Sequence, residues 1–270
     1  MDLHERWARV VGRPPNERFA LDEAALIIAA HIDPDVDVDA EVDRLDALAA
    51  ECFAGTLDSV TDLLFARLGL HGDRRDYDDP RNSSIPQVLD RGVGIPISLS
   101  VLLMEVGRRH GLHLEGVGMP GHFLVRHVVD GGDADVLIDP FGAGRHLSPG
   151  ACRDLWSAIQ GSPAGWSPDM LASTPPVAIV VRMLANLTGS YTRRDDLGGR
   201  RWVAELRAAL PERSTNQRLI VASELAQTGA FNAAAEIIDT TANRIAGLDG
   251  DNPDAARLRA HARNLRARLN

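Results

Sequence analysis

The sequence predicts an α+β fold: a helical amino-terminal region over residues 1–75, a small antiparallel-sheet core over 76–150, a connector over 151–176 and a helical domain over 177–270. Three observations carry that expectation. Apolar residues recur at helical spacing from Phe19 to about Leu70, the middle third is rich in glycine and proline with the clearest strand signals, and the last third repeats at an interval of 34 residues.

In the first region Ala24, Leu26, Ile27 and Ile28, then Leu45, Leu48, Ala49, Cys52 and Phe53, mark the buried stripes of helices. Between them lie Asp33, Asp35, Asp37, Asp39, Glu41 and Asp43. Their alternation resembles a calcium loop, but Val38 or Ala40 stands where such a loop turns on glycine, so these acids are read as capping and charging the next helix. In the core, Pro96 opens a helix that is almost unbroken apolar sequence from Leu99 to Val106. Residues 122–129 and 135–139 are short, β-branched segments, and Asp130-Gly131 between them predicts a tight hairpin. If those two residues form the turn, paired positions sum to 261, which sets His122 directly across from Asp139. A longer loop would leave the two side chains related only diagonally.

Prolines at 149, 163, 168, 175 and 176 predict a connector with at most one short helix near Leu155 to Ile159. Beyond it Tyr191 and Leu225, Asp195 and Gly229, Leu197 and Phe231, and Ala204 and Ile238 each stand 34 apart, the period of tetratricopeptide helix pairs. The second copy has its turn glycine, aromatic and small residue in Gly229, Phe231 and Ala234; the first has Asp195 and Arg200 at the glycine and alanine positions. Asn252 and Pro253 open a last helix with Leu258, Ala262, Leu265 and Leu269 on one face, as an end cap requires.

Composition removes whole classes of chemistry. With 38 acidic and 29 basic residues the net charge is −9, a field that repels nucleic acid unless a local basic patch overrides it. Every basic residue is arginine, so no phosphate-loop lysine, kinase ion pair, serine–lysine acyl transferase or Schiff base is available. Two cysteines, Cys52 and Cys152, make neither a disulfide framework nor a four-sulfur metal site and suit a reducing compartment. The first 15 residues lack the basic-then-apolar order of an export signal, and no run is long enough to span a bilayer, so the expected location is cytoplasmic with no membrane partner.

Ser98, His122 and Asp139 are the residues with a chemical claim. Ser98 falls in the opening turn of a buried helix, where free N–H groups and the positive end of the macrodipole would stabilise an anion; equally, a serine there satisfies a backbone N–H. An aspartate facing His122 would fix its tautomer and aim the other ring nitrogen at a nucleophile. His127 and Asp133 compete for that role from nearer the turn. Gly116 to Gly121 match the dinucleotide fingerprint, but Pro120 and a following strand exclude it. His110 and His113 straddle Gly111 and share no helical face, which leaves no metal or cofactor site to assign.

The segments RNSSIPQVLDRGVGIPISLS at 81–100, GVGMPGHFLVRH at 116–127 and LIDPFGAG at 137–144, in that order, resemble the SirB-type proteins of the transglutaminase-like superfamily. The resemblance implies a papain-like core between a helical amino-terminal region and a tetratricopeptide-like tail. It also implies a Cys-His-Asp site in which the histidine falls on His122, the aspartate on Asp139 before Pro140, and the cysteine position on or beside Ser98, with Asn82 part of the branch's motif. A serine there implies a non-classical or inactive core, with the tail binding a protein or peptide. The alternative is a Ser-His-Asp acyl transferase or amide hydrolase acting on a peptide-like substrate.

Overall fold

A computed structural model describes residues 2–14, 16–129, 135–211, 214–248 and 252–268. They form two compact units, residues 15–183 and residues 1–14 with 184–270. After α1 (Leu3–Val11), which belongs to the smaller unit, come α2 (Leu21–Ile32), α3 (Val38–Ala50) and α4 (Leu57–Thr61), the last continuing as a π-helical segment to Arg67. The core follows with β1 (His71–Gly72), a 3₁₀ turn (Pro80–Ser83), α5 (Ile85–Arg91), β2 (Val93–Gly94), α6 (Pro96–Arg109), β3 (Leu114–Val117), β4 (Leu124–His127), β5 (Val136–Asp139) and β6 (Arg145–Leu147). Then come α7 (Pro149–Gln160), a second 3₁₀ turn (Pro168–Leu171), β7 (Ser173–Thr174), α8 (Pro176–Arg193), α9 (Leu197–Ala209), α10 (Thr215–Gln227), α11 (Phe231–Leu248) and α12 (Pro253–Ala267). The architecture is α+β.

In the larger unit the acid-rich stretch works as a cap: Asp37 Oδ1 accepts from the N–H groups of Asp39 (2.9 Å) and Ala40 (3.3 Å). The apolar helix α6 is buried from Pro96 to Gly107 and is tied to α2 by Asp22, whose Oδ2 accepts from Arg108 (3.0 Å) and Arg109 (3.1 Å). Five strands form an antiparallel sheet in the order β6-β5-β4-β3-β7, and β1 pairs with β2 in a short parallel ladder. Strand alternation gives the sheet two faces. Val117, Leu124 and Leu137 pack with Cys152 of α7 and Leu171 on one; on the other, Leu114 meets Gly107 of α6 and Gly116 meets Ile179 of α8.

Two sequence expectations are corrected here. Val125 pairs with Ile138 and His127 with Val136, so paired positions sum to 263, not 261, and residues 128–135 connect the strands. That register does not fit a two-residue turn at Asp130-Gly131, which requires a sum of 261; Asp130-Gly131 and Asp133 themselves lie outside the described residues. The span 151–176, expected as a connector with at most one short helix near Leu155 to Ile159, carries most of the 12-residue helix α7 and the strand β7. Ser148 caps α7 by accepting from Ala151 N, Pro149 fills its first position, and β7 adds an edge to the sheet at Gly116 and Val117. Proline at a helix start is helix-compatible, because its missing N–H would have had no partner there.

In the smaller unit α1 packs with α9, and the Trp7 indole N–H donates to Leu206 O at 3.0 Å. The 34-residue period is visible in the backbone. Helices α8 and α10 end at Arg193 and Gln227, α9 and α11 begin at Leu197 and Phe231, and the turn bonds Asp196 N to Tyr191 O and Ala230 N to Leu225 O are both 2.9 Å. Asn252 accepts from Asp254 N at 2.9 Å and Pro253 opens α12, whose Ala262 and Leu265 are buried; Leu269 lies outside the described residues.

Candidate active site

His122 is set by a turn. Met119, Pro120, Gly121 and His122 close with His122 N donating to Met119 O at 3.0 Å, and Gly121 has φ +79°, the pattern of a type II turn with proline second and glycine third. The letters that imitate a dinucleotide fingerprint thus end one strand and launch the next. Asp139 closes β5, where its carbonyl accepts from Gly144 N at 2.9 Å. Although the register sets the pair two residues off direct opposition, His122 Nε2 lies 2.8 Å from Asp139 Oδ1. Both are buried. Burial alone would push the Asp139 carboxyl up, but the His122 hydrogen bond and charge, the Gly142 N–H and Arg145 outweigh it and hold the group below the ordinary carboxylate range. A charged carboxylate requires Nε2 to carry the proton, so Nδ1 is left as the basic nitrogen of the neutral ring. Among the described residues Nδ1 has no hydrogen-bond partner, and the ring lies edge-to-face with Phe141 at 5.8 Å.

Ser98 is in the first turn of α6, as its sequence position predicts, but its hydroxyl turns to the backbone. It donates to Asn82 O at 2.6 Å and accepts from Ile95 N at 3.1 Å, and the residue has no exposed surface. Pro96, at the helix mouth itself, has no reactive group. The structure therefore joins His122 to Asp139 and shows no bond from Ser98 to either. Cys152 is no substitute. It is fully buried on α7, and burial together with the charge of Asp139 pushes its thiol up to about 11, so it stays protonated at neutral pH. His127 lies on β4, and His110 Nε2 lies 2.8 Å from Ala49 O.

Asn82, fully buried, is a clamp. Its amide donates to Asp73 Oδ2 (3.1 Å) and Asp76 O (2.7 Å), and its Oδ1 accepts from Arg91 (3.0 Å). Gly142 and Arg145, both of which abut Asp139, line a cavity of about 860 Å³ together with Asp73, Arg74, Arg75, Arg91 and Phe141 among others.

Residues 21–185, well over half of the chain, match the family model described as the transglutaminase-like superfamily. The chain belongs to that superfamily. A UPF0162 protein of Xylella fastidiosa (strain Temecula1) is 37% identical over 209 residues, 72% of this chain and 71% of the relative. A UPF0162 protein of Pseudomonas aeruginosa is 35% identical over 176 residues, 62% of this chain and 63% of the relative. F-box only protein 21 of Homo sapiens is 38% identical over 105 residues, 37% of this chain and 17% of that protein. No solved structure gives a significant match.

In this transglutaminase-like core, two supports for the dyad escape sequence reasoning. Arg182 of α8 donates to Met119 O (2.8 Å) and His122 O (2.6 Å) and lies over the Phe123 ring at 5.3 Å, tying down both ends of the histidine turn. Its only sequence trait is a charge within an apolar helix, which singles out nothing. Gly142 supports the carboxylate by having no side chain.

Proposed function

We propose that the protein is a SirB-type member of the superfamily, working in the cytoplasm, whose core has no working resident nucleophile and whose carboxy-terminal helices bind a protein or peptide. One observation carries the first half. A serine that donates to Asn82 O, accepts from Ile95 N and is sealed from solvent must break two buried hydrogen bonds before it can attack anything. Support for the second half is the 34-residue backbone repeat, read as a tetratricopeptide-like pair with α12 as its end cap, and a cavity of about 450 Å³ lined by Leu219, Ala226, Ile238, Leu258 and Leu265 with Arg268 at its edge. An apolar floor with a cationic rim suits an amphipathic acidic peptide.

The test uses the full chain. A fluorophosphonate probe is expected to leave it unlabelled, and a specific partner recovered by the native chain is expected to be lost from Leu258→Asp. Labelling that disappears in Ser98→Ala would establish the rival, a Ser-His-Asp acyl transferase or hydrolase. What favours that rival is the 2.8 Å His122–Asp139 bond with Nδ1 unengaged, the arrangement a general base needs.

A further inference from the structure

We infer that the arginine-lined cavity beside Asp139 is a binding site for a phosphate monoester. It goes beyond the reading above and does not depend on whether Ser98 reacts. Four guanidinium groups line the cavity, those of Arg74, Arg75, Arg91 and Arg145, in a chain of net charge −9. Two are already balanced. Arg91 lies 3.5 Å from both Asp73 Oδ2 and Asp79 Oδ2, and Arg145 lies 3.2 Å from Asp139 Oδ2. Arg74 and Arg75 pair with no carboxylate among the described residues; Arg74 lies over the Phe141 ring at 5.3 Å.

The loop that carries those two arginines is held in place before any ligand arrives. Asp73 Oδ1 accepts from Arg75 N (2.9 Å) and Asp76 N (3.1 Å), Asn82 holds Oδ2, and Gly72 abuts Phe141 so closely that any Cβ would collide with the ring. Asp73 is the one carboxylate lining the cavity among the described residues, and these bonds occupy it. The cavity is thus lined by two arginines, consecutive in sequence, whose charges no carboxylate among the described residues balances. A carboxylate would leave one of the two charges unmet, whereas a phosphate monoester carries close to two charges on one centre at neutral pH and offers oxygens that match the guanidinium fork. An extended polyanion would meet the repulsion of the whole chain, so the fit is to a compact dianion, with the remaining volume and Phe141 available to the esterified group.

Isothermal titration calorimetry on the full chain decides it, with phenyl phosphate, phosphoserine, a phosphoserine-containing peptide and benzoate at one ionic strength. Phenyl phosphate is expected to bind at least about tenfold tighter than benzoate, and Arg75→Gln to weaken it about tenfold, the scale of one lost charge-assisted hydrogen bond. Arg153→Gln, an exposed change outside the cavity, is expected to bind like the native chain. The peptide binding tighter than phosphoserine would place the group on a protein, and equal affinity would place it on a small ester; either supports a phosphoryl site. Equal affinity for benzoate and phenyl phosphate, no saturable heat with any phosphate ester, or unchanged binding by Arg75→Gln would overturn the inference.

Discussion

Gly142 runs so close beneath Asp139 that a Cβ on it would stand 2.5 Å from the carboxylate Oδ2, inside any van der Waals contact. One methyl group there must push the carboxylate, and the carboxylate is what holds His122. Gly142→Ala is therefore expected to lengthen the His122–Asp139 bond and to cost about 1–3 kcal/mol, the range for overpacking a closed site. Urea unfolding measures the cost, and the shift of the imidazole Nε2–H resonance reports the bond. An unchanged resonance would show that the loop yields without moving Asp139.

Because Asp139 is held below the carboxylate range when folded, its contribution to stability has a definite sign. A depressed folded pKa means the contribution is complete above the unfolded value, about 4, and fades as pH falls through the lower folded value. Asp139→Asn removes that titration. The variant is expected to be less stable than the native chain at pH 7, with the gap closing below about pH 4. Urea midpoints measured from pH 7 to pH 2.5 test this, and a gap constant across that range would assign the loss to packing instead of charge.

Some of this site was legible in the residues and some was not, for physical reasons. The strand at 136–139 and the proline-headed helix α6 follow from local backbone preference, so the sequence locates Asp139 on the right strand; His122, read as the first residue of a strand over 122–129, instead closes the turn before β4. The register was not legible. It depended on how many residues the connection uses, and Asp130-Gly131 suggests a tight turn whether or not the strands extend to meet it. The role of Ser98 was ambiguous because a helix-mouth serine looks alike as cap and as nucleophile; what decides is a carbonyl sixteen residues earlier, at Asn82. Arg182, sixty residues after His122, is a contact of the tertiary fold alone.

The backbone role of Ser98 predicts a stability phenotype. Ser98→Ala removes the hydroxyl's bonds with Ile95 N and Asn82 O, leaving that pair only their own longer N–H···O bond of 3.4 Å, and the methyl group cannot replace either lost bond. The expected loss is about 1–3 kcal/mol, at about 0.5–1.5 kcal/mol for each of the two bonds removed. A nucleophile buried for catalysis would behave differently, since its removal tends to leave stability unchanged or raised. Thermal and urea unfolding of the native chain and the alanine variant separate the two outcomes.

In the smaller unit, Asp195 and Gly229 occupy the same place in the two copies of the repeat, and both are left-handed, with φ +53° and +82°. Gly229 adopts this conformation freely; Asp195 pays a steric cost for it, because its Cβ crowds the neighbouring carbonyl. The side chain of the following residue, Asp196, already caps α9 through Gly199 N at 2.8 Å, so the helix start does not depend on Asp195. Asp195→Gly is therefore expected to stabilise the chain by about 0.5–1 kcal/mol after the greater freedom of glycine in the unfolded state is subtracted, and Asp195→Val, whose branched Cβ tolerates the conformation least, to destabilise it by more. Paired thermal melts measure both. If the glycine variant melted lower than the native chain, the αL turn at 195 would have to be held by its aspartate side chain, and the equivalence of the two copies would be confined to helix spacing.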